Sequence, residues 1–396
     1  MPAGFNPTHG KILKTKNANQ VKSIMKSETM MNKLNIYPEK EIILKKAEGF
    51  LLEGIPHITD KTCPLSPGDA HEFYSNGDYW WPNPDTESGL PYIRRDGESN
   101  PENFNDHRHL LRKMRTAVST LAMAYKLTGD ERYSAFAVRC LYEFFLDEKT
   151  YMAPHLKYAQ AIPGVCDGRG IGIIDTLHLV EIPFAVRALE KSPSMTKEIL
   201  SGLKKWFSDY LEWMNTHENG IEERDCTNNH AICWHVQALS FAGFVGNEKI
   251  IGECAERYKT ILLPNQMRAD GGFTDELGRT KPYGYSIFVL DNAVSLVYLA
   301  SLYGQEKLWK YVTDDGRSIR LGLDFLFPYL KDKSKWFLPP DIEHFEGWPA
   351  RASFMVLAGL YYQDEAYLDL YRSLPLESQD EEVRRSLAIR QPILLI

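Results

Sequence analysis

From Asp106 onward, apolar residues recur at helical spacing in segments of two kinds that take turns along the chain. Small and apolar stretches cover residues 116–127, 177–189, 231–246, 289–304 and 352–362. Each is followed by a more amphipathic stretch, at 133–146, 196–215, 250–262, 308–312 with its continuation, and 367–372. A helix that is apolar all round is buried, and one with a single apolar stripe lies half-exposed. The alternation therefore predicts inner helices, each backed by an outer one.

The junctions between the two kinds repeat. Gly129-Asp130-Glu131, Gly246-Asn247-Glu248, Gly304-Gln305-Glu306 and Gln363-Asp364-Glu365 share a pattern, with a weaker copy at Leu189-Glu190-Lys191. The glutamates at 131, 190, 248, 306 and 365 are separated by 59, 58, 58 and 59 residues, the mark of a helix–turn–helix array. Glycine closes one helix in a left-handed cap, and an acidic residue opens the next near its positive end. No alternating strand pattern appears across these pairs, so the expected fold is all-α. With no evident polar capping repeats, closure into an (α/α) toroid, or incomplete barrel, is favoured over a straight solenoid. Ahead of it, a first helix is expected over residues 39–53, then a long irregular segment over about 55–105 rich in Pro, Gly, Asn and Asp. A loop of that length inside a compact protein is usually functional. Residues 1–36 read as a polar arm and 37–396 as one catalytic domain.

Composition narrows the partners. The chain has 396 residues, 43% hydrophobic and 25% charged, with a net charge of −7, which argues against a general nucleic-acid or membrane-surface binder. An anionic ligand would need a local basic pocket on this acidic body. No uninterrupted apolar run approaches the ~18 residues of a membrane span. Met1 to Lys16 lack the apolar core of a signal peptide. The expected location is cytoplasmic if the chain is full length, and periplasmic or secreted if a leader has been removed. Six cysteines without a CxxC are read as buried thiols rather than zinc ligands. His107 and His109 stand two apart on a helix, where side chains do not meet, and are read as a solvated helix start.

Candidate chemistry collects at four places. Asn228-Asn229-His230 opens the inner helix at 231–246 and carries more polar groups than one cap requires. Arg279, Tyr283 and Tyr285 stand just before the next inner helix, so the two groups should face each other across a groove. Tyr79-Trp80-Trp81 lies in the irregular segment, with aromatic faces suited to sugar rings. Gln160 and Arg169 flank a glycine-rich stretch that lacks the preceding strand and Gly-Lys-Ser/Thr of a phosphate loop, and Arg169 could clamp a carboxylate.

These residue types suit β-elimination on a uronic acid polymer. Abstraction of the C5 proton loads negative charge onto the adjacent carboxylate, which amide and guanidinium donors such as Asn229 and Arg279 would stabilise. A base for that proton and an acid for the departing O4 are also needed. In D-manno and D-gluco uronates H5 and O4 share a face, so one tyrosine could serve both in a syn elimination. In L-gulo or D-galacto residues they lie on opposite faces, and His230 would be the natural second group. No metal or other cofactor is required by this scheme. An inverting glycosidase using Asp225 with Asp275 or Glu276 remains open at this point, its carboxylates needing to lie about 6.5–9.5 Å apart. So does a non-catalytic glycan-binding protein that uses Trp80 and Trp81.

At these residues the chain resembles the alginate lyase superfamily of α/α-toroid polysaccharide lyases. The Tyr79–Pro84 segment with Gly89-Leu90-Pro91-Tyr92, and residues 158–164 with 168–175, look closest to polysaccharide lyase family 38 over about residues 60–395. The resemblance implies that Asn229 and Arg279 neutralise the uronate carboxylate, His230 assists, and Tyr285 is the acid/base, with Tyr283 its rival. It makes Tyr79, Trp80, Trp81, Gln160, Arg169, Asn228 and Tyr283 substrate-binding residues, with an anionic polysaccharide as partner. The lyases of family 5 have a His after the tyrosine and one more residue between Arg and Tyr, whereas Ser286 follows Tyr285 here. Mannuronate-rich alginate and β-1,4-glucuronan both meet the same-face geometry.

Overall fold

The computed structural model describes residues 37–396; the expected arm at 1–36 lies outside the described residues. The inner helices are α2 (Asp106–Thr128), α4 (Ile182–Leu189), α7 (Asn229–Val245), α9 (Pro282–Leu302) and α11 (Ser353–Tyr362), preceded at the start by α1 (Tyr37–Leu52). Their outer partners are α3 (Glu131–Phe145), α5 (Lys197–Thr216), α8 (Glu248–Arg257), α10 (Ile319–Lys331) and α12 (Glu365–Ser373). Between α5 and α7 lies α6 (Glu218–Arg224), and the chain ends on α13 (Glu381–Ser386) and α14 (Pro392–Leu395). Successive inner helices pack side by side, and α14 touches α2, α4 and α11, closing the ring. The result is the all-α toroid read from the alternation. α9 is long and apolar enough to cross a membrane, but 72% of its most apolar window is buried inside the ring.

The junction chemistry works largely as read. Gly129, Gly246 and Gly304 adopt φ of 70°, 81° and 89°, where a Cβ would be strained, and Gln363 takes the same conformation at 56°. Glu131, Glu248 and Glu365 each open an outer helix; Glu190 instead ends α4, and α5 starts behind a Thr196 cap. Three expected elements differ. Residues 177–181 belong to a 3-10 run, Gly170–Glu181, that precedes α4. A Cβ on Gly172 would meet the Ala159 carbonyl oxygen at 2.6 Å, so this run lies pressed on a neighbouring strand that sequence spacing does not reveal. Residues 308–312 form a short 3-10 turn, Glu306–Lys310, and the outer helix proper is α10. Residues 258–262 are wound as a π segment.

The irregular segment holds small sheets. β1 (Tyr74–Asn76) pairs in parallel with β4 (Tyr158–Ala161), and β2 (Trp80–Trp81) pairs antiparallel with β3 (Ile93–Arg94), with Trp80 opposite Arg94. The second pair is a ribbon laid over one mouth of the ring. His107 is not solvated, as expected for a helix start, but buried: Nδ1 accepts the Tyr74 N–H at 2.9 Å and Nε2 faces the Lys61 carbonyl. It fastens the segment to α2.

Candidate active site

The ribbon, the N-termini of α7 and α9 and the C-terminal segment enclose a cleft of about 340 Å³. Of the residues singled out from sequence, Tyr79, Trp80, Gln160, Arg169, Asn228, Asn229, His230, Arg279 and Tyr285 line it. Two do not. Tyr283 is fully buried, its hydroxyl donating to the Tyr329 carbonyl at 2.9 Å and its ring packed on Trp336 and Phe345. Two positions along a helix swing a side chain by about 200°, so Tyr283 faces the core while Tyr285 faces the groove. Trp81 donates its indole N–H to the Glu98 carbonyl and stacks under Arg95, which pins the ribbon.

The Tyr285 hydroxyl is held from two sides. Arg279 Nη2 donates to it at 2.9 Å with the guanidinium 4.0 Å above the phenol ring, and the Tyr79 hydroxyl lies 2.8 Å away. Burial raises the Tyr285 pKa and the Arg279 charge opposes that rise. Arg279 is itself anchored, since Nε and Nη2 donate to the two oxygens of Asp96 at 3.2 and 2.9 Å. Against the cost of burial, those bonds and that charge hold Asp96 down to about 2. Among the described residues Nη1 has no protein acceptor, so it is the nitrogen of Arg279 left for a ligand. Tyr79 and Asp96 both come from the ribbon's ends, where Arg95 N–H donates to the Tyr79 carbonyl.

The opposite wall is the start of α7. Asn228 caps the helix through Oδ1, which accepts the His230 N–H at 3.1 Å. Asn229 is clamped by Glu276, whose Oε1 accepts both its backbone N–H and its Nδ2–H, at 2.9 and 2.8 Å. His230 Nδ1 lies 2.9 Å from Glu223 Oε1. Burial, then the charges of Arg279, Arg169 and Arg94, push the His230 pKa down to about 3, so the imidazole is not a free cation. Arg169 donates to the Gln160 carbonyl and Oε1 at 3.1 and 2.9 Å, lies 5.6 Å from the Trp80 ring, and has no carboxylate partner among the described residues. Gln160 holds φ of 53°, an uncommon conformation for a residue with a Cβ, which fits a position fixed by its surroundings.

Several lining residues carried no local sequence signal. Lys281 pairs with Glu343, Arg108 with Asp175 and Asp78, and Arg385 of α13 reaches Asp78 at 2.6 Å across 307 residues. Among the described residues, seven arginines and lysines against five carboxylates line the cleft of a chain with net charge −7. The excess is the local basic pocket an anionic ligand requires. The carboxylates proposed for an inverting glycosidase are elsewhere: Asp225 pairs with Arg224 and Arg257, Asp275 accepts from Thr227, and Glu276 is buried on Asn229. Among the described residues no group of three or more His, Cys, Asp or Glu is placed to hold a metal ion.

A ring of paired helices with a basic groove, a hydrogen-bonded phenol and a facing imidazole has the make-up of a polysaccharide lyase. The family model described as alginate lyase matches residues 57–336, and the chain belongs to that family of enzymes. It is similar to the crystal structure of an alginate lyase from Bacteroides ovatus, with 33% identity and a TM-score of 0.81 over 92% of this chain and 97% of that one. It also shares its fold with an alginate lyase from Sphingomonas species A1, at 16% identity and a TM-score of 0.55 over 84% of this chain and 90% of that one. A variant of the latter complexed with a tetrasaccharide matches at a TM-score of 0.54, with 16% identity, over 81% and 87%. No curated protein matches the chain.

Proposed function

We propose that this lyase cleaves a 1,4-linked polyuronate, mannuronate-rich alginate in the first place, by metal-independent syn β-elimination. The observation that carries the reading is the Tyr285 hydroxyl, set on the cleft wall between Arg279 Nη2 and the Tyr79 hydroxyl. As a phenolate stabilised by both neighbours, Tyr285 takes the C5 proton; as a phenol it returns a proton to O4 on the same face of the sugar. Asn229, the free Nη1 of Arg279 and His230 oppose the charge that grows on the carboxylate between those events. Trp80 offers a ring for the sugar's C–H face, and Arg169, with no carboxylate partner among the described residues, a cation for a neighbouring carboxylate. The alginate named for the relatives supports this substrate, and β-1,4-glucuronan satisfies the same geometry.

The test is a panel of defined polyuronates assayed for the ultraviolet-absorbing unsaturated product. Polymannuronate or glucuronan should give product and polyguluronate much less. Faster turnover of polyguluronate would overturn the same-face mechanism, and reducing ends without unsaturation would return the reading to a hydrolase.

A further inference from the structure

Helix α2 carries Arg108, Arg112 and Arg115 at spacings of four and three residues, which puts them on one face. Two of the three are fully engaged. Arg108 donates to Asp175 Oδ2 and to the Asn76 carbonyl, each at 2.7 Å, and pairs with Asp78. Arg115 donates to Glu181 Oε2 at 3.1 Å and to His178 Nδ1 at 3.0 Å. Arg112 lines the cleft and has no carboxylate partner among the described residues; its Nη2 lies 3.1 Å from His109 Nδ1. The lining carboxylates that act on it are taken, Asp78 by Arg108 and Arg385, Asp175 by Arg108 and the Ser75 hydroxyl. Burial, then the like charges of Arg385 and Arg108, push the Arg112 pKa down to about 10, with Asp175 and Asp78 opposing. A half-buried cation in such company is costly in the free protein and ready for an anion.

His178 completes the place. It is 6% exposed and lines the cleft. A guanidinium can only donate, so Nδ1 is the acceptor in the bond from Arg115. Burial, with Arg115, Arg112, Arg390 and Arg385 acting on it, holds the imidazole well below its usual pKa, so the ring is neutral and carries its proton on Nε2. That N–H has no protein partner among the described residues. Behind it Glu181 is fully buried and joins Arg115 to the Arg390 and Gln391 amides, at 2.9 and 2.5 Å, so a bonded chain sets the ring. Arg279, Arg169 and Arg94 are the arginines that act on His230, whereas Arg112 acts on His178. The cleft thus has two separate cationic places.

We propose that Arg112 and the Nε2–H of His178 form a second carboxylate subsite, which takes the uronate group of a sugar other than the one that reacts. This rests on the lyase reading above and deepens it, since the substrate must then be a uronate at two positions. One cation beside one neutral donor matches a monoanion with two oxygens. Neither side chain touches the Tyr285 hydroxyl, which is held by Arg279 and Tyr79, so the subsite adds affinity for longer chains and leaves the elimination step alone. A chain with a neutral sugar at that position loses the contact.

The experiment is steady-state kinetics on mannuronate oligomers of increasing length, with the full chain as parent, Arg112→Gln and Arg112→Lys. In the parent KM should drop at the length that first reaches the subsite. Arg112→Gln should abolish that drop, raising KM for the longer oligomers at least about tenfold, the scale of one lost charge-assisted bond, while kcat and the KM of the shortest cleaved oligomer are kept. Arg112→Lys, which retains the charge without the fork, should recover part of the drop. A disturbed fold would instead lower kcat and act at every length alike. KM values that match the parent at every length, or that rise equally at every length, overturn the inference. Calorimetric binding of the same oligomers separates it from the lyase reading. A parent that cleaves no polyuronate yet binds the longer oligomers more tightly than Arg112→Gln does would refute the lyase and keep the subsite; cleavage with equal binding by the two proteins would do the reverse.

Discussion

Replacing Asp96 by asparagine isolates one electrostatic term in the proposed mechanism. Asp96 and the Tyr285 hydroxyl are each 2.9 Å from the same atom, Arg279 Nη2, so they cannot be more than about 6 Å apart. At that separation a carboxylate and a phenolate repel by about 2.8 kcal/mol in an effective dielectric of ~20 and about 0.7 kcal/mol in one of ~80. That is on the order of 0.5–2 pKa units, and the partly exposed Asp96 places the effect near the middle, at about one unit. The sign follows from the charges. Asp96 raises the pKa of Tyr285, so its neutral isostere lowers it, while Arg279, Tyr79 and Glu276, the other groups acting on the phenol, stay in place. The assay is the pH dependence of kcat/KM, which reports the free enzyme. If phenolate is the base, the limb that rises with pH should move about one unit toward acid in Asp96→Asn. A limb that stays where it was, or moves toward alkali, would refute Tyr285 as the base in this network.

Other outcomes follow from the same geometry. Trp80→Ala should raise KM with little change in kcat, by about 0.5–1.5 kcal/mol of lost aromatic contact, measured on oligouronates; an unchanged KM would remove Trp80 from substrate binding. In Gly284→Ala the new Cβ would meet Trp348 Nε1 at 2.7 Å and Asp341 Oδ2 at 2.9 Å, and Asp341 accepts the Tyr283 and Gly284 N–H groups that start α9. Denaturant unfolding should show a loss of about 1–3 kcal/mol from overpacking, together with lower activity. Prolonged treatment with a chelator should leave turnover unchanged, because the proposed mechanism has side chains neutralise the carboxylate; a complete loss restored by a divalent metal would contradict that.

The ring was legible because its rules are local. Gly129, Gly246 and Gly304 must be left-handed where one helix ends, and the all-apolar faces of residues 231–246 and 289–304 must be buried. The opening of α7 was legible for a similar reason, as its polar head exceeds what a cap requires. Choosing Tyr285 over Tyr283 needed the helix phase, which Pro282 at the first turn of α9 fixes. What was not legible is long-range. Asp96 holding Arg279 across 183 residues, or Arg385 reaching Asp78, leaves no mark in spacing. Glu223 drew no notice in its charged stretch and Glu276 stood as an open glycosidase carboxylate, yet both are buried beneath the residues they hold.

Tyr285→Phe addresses the central claim most directly. It removes a single oxygen while leaving the ring, the cleft and the cationic wall. Unsaturated product from polymannuronate should fall by at least 10²–10⁴, the range of a lost general acid/base, while polymer binding by calorimetry remains measurable. Turnover within a few-fold of the parent would show that the proton is carried by another group.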